Sequence, residues 1–236
     1  MKAHLDIRPS LERGELVRPM QIQAKREELV KWLPKGGTVA EIGVAAGYFS
    51  EYIRKYTQPE MLHLIDPWTR QSDPNSQTDP ANSAESTQRA NLNEVLDKFN
   101  PYGNVIVHRC FSSQAASFFN RGIGDSGYFD WIYIDGNHSY QAVKDDLERW
   151  SGLVVLDGFI LGHDYATHEW AVRSGVETVK AVDEFVEFSE WEMVALTVEE
   201  WPTYILARES HTEALGGGVR LLDDIEKGLK GLHGQS

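Results

Sequence analysis

A single cysteine, Cys110, among 236 residues permits no internal disulfide and fits a reducing compartment. No stretch approaches the ~18 consecutive apolar residues needed to cross a bilayer. The opening residues, MKAHLDIRPSLERGELVRPM, also lack the apolar core of a secretory signal. A cytoplasmic location, with no membrane partner, is therefore the expectation. Positive charge is scarce too: 23 Lys and Arg face 36 Asp and Glu, a net charge of −13. Such a surface repels phosphate backbones and anionic lipid, so nucleic acid is not an expected partner. Aromatic residues, by contrast, are plentiful, with seven Trp, nine Tyr and nine Phe in a chain that is 41% hydrophobic. That excludes wholesale disorder and supplies one sizeable core.

The charge is uneven. Residues 1–35 hold eight Lys or Arg and five Asp or Glu, marking an N-terminal helical arm in which Ile22, Arg26, Leu29, Trp32 and Leu33 fall near helical spacing before Pro34 stops them. From residue 36 to 210, strand and helix alternate. The segments TVAEIGV, MLHLID, NVIVHRC, FDWIYID and FILGHD read as five strands. The near-continuous apolar run FDWIYID is what a central strand covered on both faces requires. MVALTV and TYILAR then read as a closing antiparallel hairpin. The expected fold is α/β, a doubly wound Rossmann-like sheet that is mostly parallel. Residues 69–86 are polar and carry neither period, so they read as a long mobile loop or lid. A Gly-rich, weakly helical tail occupies 211–236.

In such sheets ligands bind beyond the carboxyl ends of the strands. After the first strand the chain reads E-I-G-V-A-A-G-Y-F-S, with Gly43 and Gly47 bracketing two alanines. Small residues there let backbone approach a ligand, and the following helix offers free N–H groups. The same pattern would also serve merely to tighten a turn. It lacks the G-x-G-x-x-G spacing of dinucleotide sites, which argues against a nicotinamide-dependent oxidoreductase. Asp66 ends the second strand, where an acid can accept from two ribose hydroxyls, although an Asp before Pro67 can equally cap a turn. Trp68 is placed to wall the same pocket.

VAEIGVAAGYFS, LIDPW, the Ser after the third strand and YIDGNHSYQAVKDDLERW together resemble class I S-adenosylmethionine (SAM)-dependent methyltransferases. The IDG-x-H-x-Y strand end, the D-D-L helix and GFILGHD are most similar to the group of macrocin-type sugar O-methyltransferases and cephalosporin-hydroxylase-like proteins. The resemblance spans roughly residues 38–208. It implies that Glu41, Gly43 and Gly47 surround the methionine end of the cofactor, that Asp66 binds its ribose, and that Ser112 lies near its adenine.

Asp135, His138 and Asp164 end or follow two strands expected to be adjacent, and parallel neighbours lie only ~5 Å apart. Asp135 and Asp164 together suit Mg²⁺ or another divalent cation, and Asp135 can also touch the cofactor. Tyr165 stands where some relatives carry a further Asp or Asn, which leaves the third ligand open. An aliphatic hydroxyl needs help to lose its proton, which a cation and a base supply. His138 is expected to be that base in preference to His163, although it can instead cap the next helix. Asp145 and Asp146 read as a solvated helix face. The expected activity is transfer of the SAM methyl group to a hydroxyl of a small molecule such as a sugar, with assembly into a homo-oligomer left open. The alternative is a binder that kept the cofactor pocket without the chemistry.

Overall fold

The computed structural model describes residues 10–12, 15–17, 19–72, 79, 82–121, 127–208 and 217–233. Much of the expected 69–86 loop, residues 73–78, 80 and 81, lies outside them. Among the described residues no helix is long and apolar enough to cross a membrane.

Among the described residues, ten strands form two sheets. β1 (Ser10–Glu12) and β2 (Glu15–Val17) make a small antiparallel pair. The other eight are β3 (Met20–Ile22), β4 (Thr38–Ile42), β5 (Met61–Asp66), β6 (Val105–Arg109), β7 (Phe129–Ile134), β8 (Val154–Gly162), β9 (Trp191–Thr197) and β10 (Tyr204–Arg208). They lie in the order β3-β9-β10-β8-β7-β4-β5-β6. β6, β5, β4, β7 and β8 run parallel. β10 inserts antiparallel between β8 and β9. The order reverses between β4 and β5 on one side and β7 on the other, which opens a crevice beyond their carboxyl ends.

Side-chain alternation builds a core on each face of the sheet. Val39, Leu62, Leu64, Trp131, Tyr133 and Leu161 point to one side, against α2 (Tyr48–Thr57), α3 (Glu85–Phe99) and the C-terminal helix (Gly217–His233). Ala40, Ile42, Ile132, Ile134 and Ile160 point to the other, against α4 (Ser112–Asn120), α5 (Tyr140–Trp150) and α7 (Thr178–Phe188). This period of two, with both faces apolar, is why the central strands read as continuous hydrophobic runs. Between β8 and α7 lies the short α6 (Glu169–Arg173).

The N-terminal segment departs from the expected single helix over 22–33. Met20–Ile22 pairs in parallel with β9, and Ile22 is fully buried. The helical part shrinks to α1 (Arg26–Leu29) and a 3₁₀ turn, Val30–Trp32. An open sheet edge satisfies backbone groups that a longer helix would have to pair within itself, and here the edge wins. The tail from Gly217 is a full helix whose Leu221 and Ile225 are buried on the main core.

Candidate active site

A cavity of about 580 Å³ opens at the carboxyl ends of β4, β5, β6 and β7. Of the residues expected to meet a cofactor, Gly43, Asp66, Ser112 and Asp135 line it. Glu41, Gly47 and Trp68 stand behind the wall. Glu41 is 1% exposed and accepts the hydroxyl of Ser50 in a short hydrogen bond. Burial pushes its carboxyl up to about 8, with Ser50 pulling the other way. Trp68 is fully buried, so it is not the pocket wall expected of it. Its indole Nε1 donates to Ala45 O at 2.8 Å and thereby holds the glycine turn from below. Gly47 caps α2 in a left-handed conformation, with φ of 74°.

Gly43 lies where two loops touch. At its φ of +88°, an added Cβ would sit 2.0 Å from Asp135 O. Asp66 fastens the same turn: Oδ2 accepts the N–H groups of Val44 and Ala45, both at 3.0 Å, and Oδ1 accepts that of Trp68 at 2.7 Å. Burial holds this carboxyl above its usual range, against the pull of those three donors. Asp66 thus caps the turn while it lines the cavity.

Asp135 lines the cavity, and His138 and Asp164, which are not among its lining residues, converge on it, with ligand-capable atoms all within 4.8 Å of one another. Each oxygen of Asp164 has its own histidine: Oδ2 lies 2.7 Å from His138 Nε2, and Oδ1 lies 3.0 Å from His163 Nδ1. Asp164 holds this pose with a left-handed backbone, φ 59°, of the kind that costs ~1–3 kcal/mol and clusters at functional sites. Burial disfavours a charged His138 ring. Hydrogen bonds to Asp135, Asp164 and Asp79 outweigh it and raise the ring's pKa well above the ordinary histidine value. Burial likewise works against Asp164, but both histidines hold it below the usual carboxylate range. Tyr165, at the position of the open third ligand, turns away and donates to Asp183 Oδ1 at 2.6 Å. His138 is the third residue of the cluster that offers a ligand-capable atom.

Three residues at this site escaped the sequence reading. Arg26 Nη1 reaches Asp135 Oδ2 at 2.7 Å and Tyr133 Oη at 3.1 Å, so the N-terminal segment supplies a cation to the site. No spacing could signal this, because 109 residues separate the pair. Asp79, from within the polar 69–86 segment, accepts from His138 N at 3.2 Å and faces its Nδ1 at 3.1 Å. Asp146 is 7% exposed and lines the cavity, which corrects its reading as part of a solvated helix face. The apolar Val143, Leu147 and Trp150 place that helix face inward, and Asp146 shares it.

Residues 40–165 match the family model described as "Methyltransferase domain". The chain belongs to that methyltransferase family. It is a SAM-dependent methyltransferase built on the Rossmann-like architecture. An O-methyltransferase family protein from Burkholderia thailandensis is similar with a TM-score of 0.53 at 12% identity, over 77% of this chain and 55% of that one. SMU.1697c of Streptococcus mutans, solved in complex with SAH, has a TM-score of 0.50 at 10% identity, over 77% and 94%. The Methanococcus jannaschii fibrillarin pre-rRNA processing protein has a TM-score of 0.51 at 13% identity, over 75% and 68%. At these identities the likeness concerns the fold. In sequence, the chain is 32% identical over 85 residues to the uncharacterized protein R132 of Acanthamoeba polyphaga mimivirus, a stretch covering 36% of this chain and only 38% of that relative.

Proposed function

We propose that the protein transfers the SAM methyl group to a hydroxyl of a small polar molecule such as a sugar, assisted by a divalent cation. The observation that carries this reading is the convergence of His138 and Asp164 on Asp135, which lines the cavity. In this pose the methionine end of SAM lies at the Gly43 turn, the ribose near Asp66 and the base near Ser112. The sulfonium methyl is already electrophilic, so the protein's task is to align a nucleophile and remove its proton.

Asp135 and Asp164 would hold a divalent cation, and Arg26 on Asp135 Oδ2 leaves Oδ1 as the donor facing the site. Mg²⁺ or Mn²⁺ bound there would stabilise the alkoxide that develops on the acceptor and weaken the carboxylates' hold on the His138 proton. His138 Nε2 is then the base, and Asp79 at Nδ1 orients the ring. Asp164 positions both histidines. The net charge of −13 favours a neutral or cationic acceptor over a nucleic acid.

Calorimetry with SAH, followed by methyl transfer to a panel of sugars with Mg²⁺ or with EDTA, tests the reading. SAH is expected to bind, and transfer is expected to fall at least a hundredfold in EDTA and in His138→Ala. Transfer at full rate in both would sink the cation and base assignments. A melting temperature raised by NAD(H) and left unmoved by SAH would overturn the cofactor.

A further inference from the structure

The segment 165–177, which carries α6, is tied at both ends to the cluster of Asp135, His138 and Asp164. Directly after Asp164, Tyr165 N donates to Pro202 O at 3.0 Å, and at the far end Glu177 N donates to His138 O at 2.8 Å. The 198–203 turn that supplies Pro202 is held from the other side by Arg26, whose backbone N–H donates to Glu199 Oε1 at 3.1 Å while its guanidinium sits on Asp135. Segment and turn thus flank the cluster, and none of their residues lines the cavity assigned to the cofactor. Ala166, Ala171 and Val176 form a small buried group with Trp201 packed against it. On that base three rings meet in a corner. Trp170 and Trp201 lie at 72° with centroids 5.0 Å apart, His168 stands at 76° to Trp201 at 4.6 Å, and His168 and Trp170 are parallel within 4° at 6.4 Å. Trp170 is 56% exposed.

An indole left more than half in water, but braced by two other rings, is pre-organised to stack on a ligand. A second observation points the same way. His168 Nδ1 accepts from Ala171 N at 3.1 Å, so the ring hydrogen sits on Nε2, and Nε2 is buried with no hydrogen-bond partner. A buried donor without an acceptor is costly, and a ligand oxygen brought between the rings relieves it. Glu169 and Glu200 each adjoin one of the indoles in sequence, and Arg173 pairs with Glu169. Carboxylates accept hydroxyl hydrogens, whereas the guanidinium donates to hydroxyl oxygens and repels a cationic ligand. We infer that Trp170, Trp201 and His168 form the subsite for a sugar ring of the acceptor: a pyranose lays its C–H face on Trp170, and one of its oxygens accepts from His168 Nε2. This rests on the acceptor class proposed above, and the place beside the cluster, outside the cofactor cavity, is what fits the corner to it. A protein partner fits poorly, because Trp170 and Val172, the exposed large apolar residues of α6, offer no more than ~250 Å² apiece against the ~800 Å² per side that a stable interface buries.

The test adds methyl glycosides of glucose, galactose and rhamnose, at millimolar concentration, to the full chain with SAH bound, and follows the indole N–H signals by NMR. At least one glycoside is expected to shift the signals of Trp170 and Trp201 saturably, whereas glycerol, which has hydroxyls but no ring face, leaves them in place. In Trp170→Ala that binding is expected to weaken about tenfold or more, with SAH affinity by calorimetry within about twofold of wild type. A glycoside that binds wild type and folded Trp170→Ala equally overturns the subsite, and so do equal shifts with glycerol. If wild type sediments as an oligomer that Trp170→Ala breaks into monomers, the corner is a contact between copies and the assignment falls. No heat with SAH removes the methyl-transfer reading and this acceptor site together, whereas SAH binding with no glycoside response at Trp170 removes the site alone.

Discussion

His138 Nε2 stands 2.7 Å from Asp164 Oδ2, across two adjacent strand ends. With Asp79 at the opposite ring nitrogen, the imidazole faces carboxylates on both sides and holds its proton more firmly than a free histidine. The sign of the linkage follows: a raised histidine stabilises the fold below its unfolded pKa of ~6.5, and that contribution fades as pH rises through the folded value. Removing one carboxylate charge should loosen the proton. In Asp164→Asn, the NMR titration midpoint of His138 is expected to drop by about one unit or more, equivalent to ~1.4 kcal/mol. An unmoved midpoint would show that Asp164 does not govern this ring.

Arg26 and a divalent cation compete for the charge of Asp135. The guanidinium sits 2.7 Å from Oδ2, so a cation bound at Oδ1 feels its repulsion in a half-buried site. Arg26→Met keeps much of the side-chain volume over Phe49 and removes the charge. The affinity for Mn²⁺, followed by electron paramagnetic resonance, is expected to rise about tenfold, on the order of 1.4 kcal/mol. Weaker Mn²⁺ binding in the variant would mean that Arg26 supports the site instead of opposing the ion.

The central β/α alternation was legible because both faces of the sheet are buried, which writes FDWIYID and its neighbours as unbroken apolar strands. The strand ends were legible for a related reason: the first residues after a strand are the ones the fold delivers to the crevice, and Gly43, Asp66, Ser112 and Asp135 all line it. What stayed hidden depends on contacts distant in sequence or on one side chain's direction. β3 is three residues long, and its pairing with β9 has no local pattern. Arg26 reaches Asp135 and Asp79 reaches His138 from segments whose composition says only that they are polar or amphipathic. Trp68 lies under the turn, its backbone left-handed at φ 41° and its Nε1 donating to Ala45 O, and one side chain's direction of this kind leaves no mark in the sequence.

Glu41 gives the fold a dependence on pH opposite to that of an ordinary ion-paired acid. Burial raises its folded value from 4.5 to about 8. Between those limits the unfolded chain has lost the proton and the folded chain still holds it, so stability is full below the lower limit and declines as pH rises toward the upper one. Glu41→Gln still accepts from Ser50 and removes the ionisation. Relative to wild type it is expected to gain stability steadily from pH 5 to pH 8, up to about 4 kcal/mol. Chemical denaturation across that range is the measurement, and a constant difference between the two proteins would show that Glu41 is ionised in the fold throughout.

Gly43 and Gly36 separate the cost of backbone conformation from the cost of contact. Both hold positive φ, +88° and +81°, but an added Cβ at Gly36 meets nothing within 4 Å, whereas at Gly43 it would lie 2.0 Å from Asp135 O and 2.6 Å from Gly136 Cα. Those neighbours are backbone, tied down by the hydrogen bond from Asp135 N to Ile42 O at 2.8 Å, so they cannot rotate away. Gly36→Ala should cost only the left-handed penalty, about 1–2 kcal/mol, and leave SAH affinity within about threefold. Gly43→Ala should cost that plus an overpacking term, about 3 kcal/mol or more in total, and should lower SAH affinity at least tenfold, because the turn must move off the Asp135 loop. Urea denaturation and calorimetry on the two variants read both effects. If Gly43→Ala were no worse than Gly36→Ala, the close approach of the β4 and β7 loops would not be what shapes this pocket.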